Sequence, residues 1–558
     1  MSIATDSLQE DAIDARPSST TQAILQWLHE SAGGERGADY AMSALDWSHR
    51  LPELADMLPA TVWQRLLNHL LLSAVEAERP DDGPACSKDD SLVHQLLAGE
   101  LAMTLATLFP RIKACRRLLP RARRALSAGL MDLLDGDGLL HAGHLDHLGP
   151  LLACWTRCRS LGKHWKRGSW SDEADVQYRR LVHNALRLAR RDGSFVFSPE
   201  PADRKDAAAL SAAIETAGDK TDRAIAAIVL SDRKNRNKRS QHAAVELPRA
   251  AVHSEWAAVG VLRPDWSRSA PRLTLLYPEA SCRVELACGK DVLWSGDWSY
   301  QLRVDGMSAA PVSDWSAACW ISDEDVDYLE LEIELIEGFR IQRHIVMARN
   351  DRFLLLADAV LGPRRAALDY RTTLPLGEQI TFQPASETSE GALIGRKTRA
   401  VAIPLALPEW RNSLPSPLGR GAGGEGNENA TRSANSTPHL TALTPAPSQR
   451  VMGQDQLELR QSAFGRALFA PLFFDLDRWR FGKPLTWRQL TVAESLAVQP
   501  ADAAVGYRIS TGGKHWLVYR SLTPPRNRTL LGHNLSSETL IARFTRKGEV
   551  KSLIEIEP

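Results

Sequence analysis

The chain has 558 residues, in which 68 lysine and arginine side chains balance 68 aspartate and glutamate side chains. This length accommodates two or three domains with a large buried core. The charge balance excludes a global field that would attract nucleic acid, and no apolar run is long enough to cross a bilayer. We therefore expect neither nucleic acid nor a membrane as a partner, and the sequence carries no signal for an oligomeric state.

Cysteine usage and the amino terminus indicate a cytoplasmic protein. Residues 1–20 are polar and acidic, and they lack the basic flank and apolar core of a signal peptide. The seven cysteines are an odd number without paired CxxC spacing, which is typical of reduced thiols rather than of a disulfide framework or a zinc site. We therefore predict no metal and no cofactor.

Residues 19–245 are predicted to form a helical domain, preceded by a disordered tail over residues 1–18. Apolar side chains recur at helical spacing along eight segments, which are 20–32, 51–58, 60–77, 92–108, 144–160, 172–191, 206–216 and 220–230. Two Asp-Gly turns, at Asp135 and at Asp192, follow helices about 55 residues apart, which leaves room for two helices and their loops. Such a repeat indicates an α/α toroid or a helical array.

Residues 255–558 are predicted to form an antiparallel β-domain after a boundary near 245–255. Within it, residues 328–335 alternate apolar and acidic side chains, so Glu330, Glu332 and Glu334 are expected to face water. Segments 339–346 and 353–360 continue as the second and third strands of a meander. Many further short strands, without helical interludes, favour a large β-sandwich.

A proline- and glycine-rich segment interrupts the predicted β-domain. Residues 413–453 contain almost no apolar bulk, so they cannot bury enough surface to offset the entropy of ordering them. We predict that this segment is a disordered insert.

Four stretches of the β-domain resemble a known family. They are Arg263-Pro-Asp-Trp266, the run from Gly289 to Gly296, residues 340–343 and residues 351–360, which together are similar to the opening of the β-domain in heparinase II/III-like proteins. That family pairs an N-terminal α/α toroid with a C-terminal antiparallel β-sandwich, and its studied members are polysaccharide lyases. The resemblance implies this fold and β-elimination on an acidic, uronic polysaccharide.

The sequence departs from the family at one place. Where family enzymes commonly carry a His-x-Asp pair, this chain reads Ser281-Cys-Arg-Val-Glu285 without a histidine. The resemblance therefore leaves two functions open, a polysaccharide lyase or a catalytically inactive relative that binds a glycan or a protein partner.

Lysis of a uronic polysaccharide needs a base beside the carboxylate, a cation that neutralises the forming enolate, and an acid for the leaving oxygen. His141, His144 and His147 cluster around Asp146, and neutral imidazoles accept protons. By residue type and place, the candidate catalytic residues are His144, His147, Tyr178 and Arg263. Helix-capping and surface roles are the alternatives for the histidines, and a brace at the domain junction is the alternative for Arg263.

Aromatic and cationic side chains after the histidines are candidates for substrate binding. Indole faces stack on the apolar face of sugar rings, although tryptophans also fill helical cores. The substrate-binding candidates are His141, Trp165, Arg167 and Trp170.

Overall fold

The computed structural model describes residues 19–31, 36–77, 88–198, 204–230, 246–411, 439–447, 455–545 and 547–557. The chain forms two compact units. The first unit contains the chain up to Leu134 together with His147–Arg179, and the second contains Asp135–Asp146 together with the chain from Arg180 onward. The predicted tail lies outside the described residues, and the predicted boundary near 245–255 stays a prediction.

Ten α-helices lie in the described part of the chain before residue 231. They are α1 Ser19–Glu30, α2 Ala38–Leu54, α3 Ala60–Glu76, α4 Lys88–His94, α5 Ala102–Leu108, α6 Lys113–Asp132, α7 Leu148–Gly162, α8 Asp172–Leu188, α9 Arg204–Ala217 and α10 Lys220–Val229. The predicted helical half is confirmed. Helix α2 begins thirteen residues before the segment predicted at residue 51, because its buried stripe starts with the small side chains of Ala41 and Ala44, which give a weak periodic signal.

The first unit is organised around a π-helical segment, Gln95–Leu101, between α4 and α5. The sequence predicted an uninterrupted α-helix here. Gln95 is buried, donates from Nε2 to the Ala125 carbonyl at 2.9 Å, and accepts from the Trp155 indole at 3.0 Å. These bonds satisfy a buried amide in the middle of the helical core, and a wider helical turn is a common way to reposition such a side chain.

The second unit contains four antiparallel sheets. The first sheet comprises β1 Val252–Ser254, β2 Val259–Leu262, β3 Pro271–Leu276, β4 Arg283–Cys288 and β5 Asp291–Asp297. The central sheet comprises β6 Ser299–Val304, β7 Met307–Ser308, β8 Ser316–Ser322, β9 Val326–Glu334, β10 Arg340–Ala348, β11 Phe353–Pro375, β12 Thr381–Pro384, β13 Gly391–Ile394, β14 Thr398–Pro404, β15 His439–Pro447 and β16 Asp455–Asp475. The predicted meander is confirmed as β9, β10 and β11, which pair in sequence.

Two smaller sheets complete the β-domain. One comprises β17 Leu485–Leu490, β20 Ala504–Thr511, β21 Lys514–Ser521, β24 Thr539–Phe544 and β25 Val550–Ile556. The other comprises β18 Val492–Glu494, β19 Ala497–Val498, β22 Arg528–Leu530 and β23 His533–Leu535. An apolar core that includes Tyr328, Phe353, Trp516 and Ile541 packs the central sheet against the first of these two sheets.

Both faces of the central sheet are covered, which corrects the prediction that one face is wet. Leu329 packs on the first sheet, where a Cβ at Gly260 would lie 3.0 Å from its methyl group. On the opposite face Glu330 is only 5% exposed, and it accepts a hydrogen bond from the Tyr328 hydroxyl at 2.5 Å. Glu334, at the strand end, is exposed. The face of β9 that carries the glutamates is therefore exposed to solvent only at the end of the strand.

One strand lies within the segment predicted to be a disordered insert. β15 pairs with β16 from His439↔Ser462 to Pro447↔Asp455. The disorder prediction therefore does not hold for these nine residues, because backbone hydrogen bonding to a neighbouring strand needs no apolar side chains. The rest of the predicted insert, residues 413–438 and 448–453, lies outside the described residues.

Among the described residues, no helix combines the length and apolar character that a membrane-spanning segment requires.

Candidate active site

The histidine loop, residues 141–146, belongs to the second unit and is held there by backbone hydrogen bonds. It follows a tight turn in which the Asp135 carboxylate accepts from the backbone N–H groups of Asp137 and Leu139. Gly138 has φ +78°, and a Cβ there would lie 2.3 Å from that of Arg180, so only glycine fits this position. The Ala142 N–H donates to the Ala257 carbonyl at 2.7 Å, which fixes the loop on the turn between β1 and β2.

Two imidazoles and an indole come together at this turn. The rings of His141 and His144 lie 6.1 Å apart, and the edge of His141 meets Trp256 at 5.5 Å. Trp256 is 54% exposed. His141 Nδ1 accepts from the Gly143 N–H at 3.1 Å, so a neutral His141 ring carries its proton on Nε2.

A guanidinium lies beside the same loop. Arg283, the first residue of β4, donates to both carboxylate oxygens of Asp146 at 3.0 Å, and it stacks on the Phe197 ring at 4.7 Å. Asp146 is more than half exposed, so this ion pair is a surface pair and contributes little stability. Its effect is to hold a cation next to the histidine loop.

Sequence reasoning missed Trp256 and Arg283 as site residues. Arg283 stands between Ser281 and Glu285, where the resembled family carries its His-x-Asp pair, so its place in that pattern was the available signal. Trp256 had a weaker signal, since it is a large aromatic residue in a short turn. Their proximity to the histidines depends on the hydrogen bond between Ala142 and Ala257, which no local pattern encodes.

Glu285 occupies the other end of that pattern and is committed to a buried ion cluster. It accepts from Arg190 at 2.6 and 3.1 Å, from Arg272 at 3.1 Å and from the Phe197 N–H at 2.7 Å. Burial alone would raise the pKa of Glu285, but Arg190 and Arg272 hold it below its ordinary value. This carboxylate is a structural anion and not a free acid or base.

Tyr178 and Trp170 lie in the first unit and are both buried. The Tyr178 hydroxyl forms a 2.7 Å hydrogen bond with Thr156 Oγ1, and Arg159 stacks on its ring at 5.2 Å. Burial raises the pKa of Tyr178 to about 12, so it keeps its proton at neutral pH. Trp170 packs against Tyr178 at 5.4 Å between ring centroids.

Trp165 and Arg167 also lie in the first unit. The half-buried Trp165 indole donates to Thr107 at 3.1 Å, and the carbonyl of Arg167 accepts from Arg123. Arg167 and Trp170 line an open cavity of about 760 Å³ together with Arg123, Arg159, Lys163 and Lys166. His147 belongs to this unit too, where it immediately precedes α7.

Arg263 follows β2, whereas Trp256 lies before that strand, so the two residues lie at opposite ends of it. The Arg263 guanidinium donates to the Asp265 carbonyl at 3.0 Å and stacks on Trp266 at 4.9 Å. The structure thus brings His141 and His144 together and places Arg263 elsewhere in the second unit.

Within the described ranges, no group of three His, Cys, Asp or Glu side chains is arranged to hold a metal ion.

Comparison with known proteins identifies the fold. No family model and no curated protein sequence matches this chain. Solved structures do. The chain is similar to heparinase III, with 8% identity, 90% of this chain and 79% of that chain covered and a TM-score of 0.57. It is also similar to the heparan sulfate lyase HepC from Pedobacter heparinus, with 11% identity, 90% and 78% coverage and a TM-score of 0.51.

Another heparinase III structure gives 11% identity, coverage of 90% of this chain and 80% of that chain, and a TM-score of 0.53. The chain therefore has the fold of heparinase-like polysaccharide lyases, with a helical toroid-type part followed by antiparallel β-sheets. Its predicted resemblance to this group is confirmed at the level of the fold.

Proposed function

We propose that this protein is a polysaccharide lyase that cleaves an acidic, uronic polysaccharide by β-elimination. The observation that carries the proposal is the grouping of two imidazoles, an exposed indole and a guanidinium around one turn of the second unit, in a chain with a lyase fold. These groups match the base, acid, cation and sugar platform that the reaction needs.

The geometry suggests a role for each side chain. His144 takes the proton next to the uronic carboxylate, and Arg283 stabilises that carboxylate as it becomes an enolate. His144, protonated in that step, then returns the proton to the leaving glycosidic oxygen, to which His141 donates a hydrogen bond from Nε2, since its Nδ1 already accepts from Gly143. The exposed Trp256 ring provides the platform on which a sugar stacks.

The remaining candidates fit subsidiary roles. Tyr178 keeps its proton at neutral pH, so it is a poor base at its present burial. His147, Trp165, Arg167 and Trp170 belong to the first unit, where the open cavity with several cationic side chains would suit an extended acidic chain. Arg263 takes no part in the proposed reaction.

One observation favours a second function, glycan binding without catalysis. Arg283 and the buried Glu285 stand where the resembled family has its His-x-Asp pair. A chain that lost this pair would retain the aromatic and cationic surface and bind an acidic glycan without cleaving it.

The deciding experiment incubates the purified protein with heparan sulfate, chondroitin sulfate, hyaluronan and alginate, and follows the ultraviolet absorbance of the unsaturated uronate product. A lyase gives rising absorbance with at least one polymer. Binding by calorimetry without any product would establish the second function instead.

His144→Ala tests the proposed base. Loss of a positioned base lowers the rate by about a hundred- to ten-thousand-fold, and we expect this loss with an unchanged unfolding temperature. His533→Ala is the matched control, because His533 is an exposed histidine on β23 and should leave turnover unchanged. Equal turnover in His144→Ala and the unmodified protein would remove His144 from the mechanism.

A further inference from the structure

The second unit also contains a cavity whose lining is strongly basic. Its volume is about 390 Å³, within the range of small-molecule sites. Six cationic side chains line it, against the carboxylate of Asp192 as the one acidic group among its described lining residues. The cations are Arg190, Arg191, Arg263, Arg268, Arg272 and Lys290.

This basic cavity is separate from the proposed active site. The two lie at opposite ends of β4, since Arg283 begins that strand and Gly289, which lines the cavity, follows its last residue. At about 3.3 Å per residue, these positions are roughly 20 Å apart. The cavity shares no lining residue with the proposed active site, although two of its arginines, Arg190 and Arg272, pair with Glu285, two residues from Arg283.

The positive charges of the cavity are only partly balanced by protein groups. Arg190 and Arg272 share the buried carboxylate of Glu285. Arg263 is 4% exposed and forms no ion pair with any residue that the structure describes. Burial, followed by the nearby charge of Arg272, lowers the pKa of Arg263 to about 9. The guanidinium is still charged at neutral pH, and an anion in the cavity would relieve this cost.

Two buried hydrogen-bond donors also indicate that the cavity lacks an acceptor. The Nε atoms of Arg191 and Arg272 are buried and have no acceptor within the described parts of the chain. Arg272 as a whole is only 4% exposed. A buried donor without an acceptor is destabilising, so a bound acceptor would stabilise this arrangement.

We infer that the basic cavity binds a tetrahedral oxyanion, the phosphate or sulfate group of a small molecule. Guanidinium groups bind such anions through paired N–H donors. Arginines that converge from two loops and one strand can occupy three or four acceptor oxygens, more than a single carboxylate offers. Lys290, exposed on the turn between β4 and β5, adds a cation at the rim.

The test is isothermal titration of the full chain with inorganic phosphate and with inorganic sulfate, at constant ionic strength, against sodium chloride. We expect saturable binding of one anion per chain for phosphate, sulfate or both, with a rise in unfolding temperature. Glucose 6-phosphate and glucosamine 6-sulfate then distinguish the two sources, because the one that binds more tightly carries the preferred group. Heats no larger than those of chloride for every anion would overturn the inference.

Variants identify the cavity as the binding place. Arg263→Gln removes a buried charge-assisted donor and should weaken the anion about ten- to a hundredfold. If that variant does not fold, Lys290→Gln decides, because its exposed side chain is not needed for folding. It should weaken binding about three- to tenfold. The matched control is Arg303→Gln, at an exposed position on β6, which should change affinity less than about twofold. Equal weakening in Arg303→Gln and Lys290→Gln would contradict a specific site.

Discussion

Trp256 shows what an exposed aromatic side chain contributes at the residue scale. Its side chain is 54% exposed, and its ring lies in a T-shaped arrangement with His141, so it adds little to the core. We predict that Trp256→Ala weakens glycan binding about tenfold, the equivalent of a stacking contact of about 1.4 kcal/mol. Calorimetric titration measures this. Trp410, also 54% exposed, supplies the matched control Trp410→Ala, and similar losses in both variants would refute a stacking role for Trp256.

His253 gives the protein a predictable acid sensitivity. Its ring contacts Tyr277 and Trp320, and its Nε2 hydrogen-bonds the Tyr277 hydroxyl at 2.7 Å. Burial lowers the pKa of His253 to about 4, whereas an unfolded histidine titrates near pH 6.5. Between these values the unfolded state binds a proton that the folded state does not, so stability is full above about pH 6.5 and falls as the pH drops toward 4.

We predict that the titration of His253 lowers the free energy of unfolding by about 2 kcal/mol between pH 7 and pH 4.5, after allowance for its partial exposure. His253→Phe keeps the aromatic contacts and removes the titration. Urea unfolding at both pH values measures the effect, and the variant should lose less stability than the unmodified protein on acidification. An identical loss in both proteins would show that other groups cause it.

The sequence located half of the candidate site residues at this scale. His141 and His144 were predicted from their spacing alone, because a short loop brings its own residues together. Trp256 and Arg283 lie more than a hundred residues further along the chain, and only tertiary hydrogen bonds bring them to the loop. Residue type suggested a catalytic role for Arg263, which lies just after β2 and lines the basic cavity.

At the scale of elements, a buried arginine connects two strands and two loops of the second unit. Arg343 on β10 pairs with Asp358 on β11 at 2.8 and 3.1 Å and lies between Trp298 and Trp315, at 3.8 and 4.8 Å from their ring centroids. The Asp358 carboxylate also accepts from the Tyr370 hydroxyl. The arginine and its partner are both about fully buried.

We predict that Arg343→Leu destabilises the protein by about 3–5 kcal/mol, because it leaves Asp358 buried without a counter-charge. Arg364→Leu is the control, since Arg364 forms ion pairs while its side chain is 47% exposed, and it should cost much less stability than Arg343→Leu. Denaturant unfolding compares the two. A cost below 1 kcal/mol for Arg343→Leu would mean that Asp358 is protonated or solvated in the folded state.

Elements were predictable where apolar side chains recur at a regular period. The meander strand β9 and most helices show such a period, although both faces of the central sheet prove to be covered. Where burial surrounds the element, this signal fails. Gln95 in the π-helical segment and Glu330 on β9 are both polar residues in a core. The hydrogen-bond partners of Gln95 come from helices distant in sequence, whereas Glu330 accepts from Tyr328 on its own strand.

For the whole molecule, the order of elements was the most predictable property. A long run of helical periodicity followed by a long run of strands defines the architecture, and structures of heparinase III share it at 8–11% identity. The two compact units do not follow this simple division, because the chain from Arg180 and the histidine loop both join the second unit. The Arg190–Glu285 pair, 95 positions apart, accounts for part of this.

The long pairing of β11 with β16 has a consequence for how the protein folds. Their register runs from Phe353↔Asp475 to Pro375↔Gln456, so the chain must close a large loop before the central sheet exists. Contacts between such distant residues slow folding, whereas loop length itself adds only about 0.6 kcal/mol per doubling. Insertions or deletions in the segment between β14 and β15 should therefore change the free energy of unfolding only slightly. The protein is most vulnerable during folding, after β11 has been synthesised and before β16 pairs with its edge.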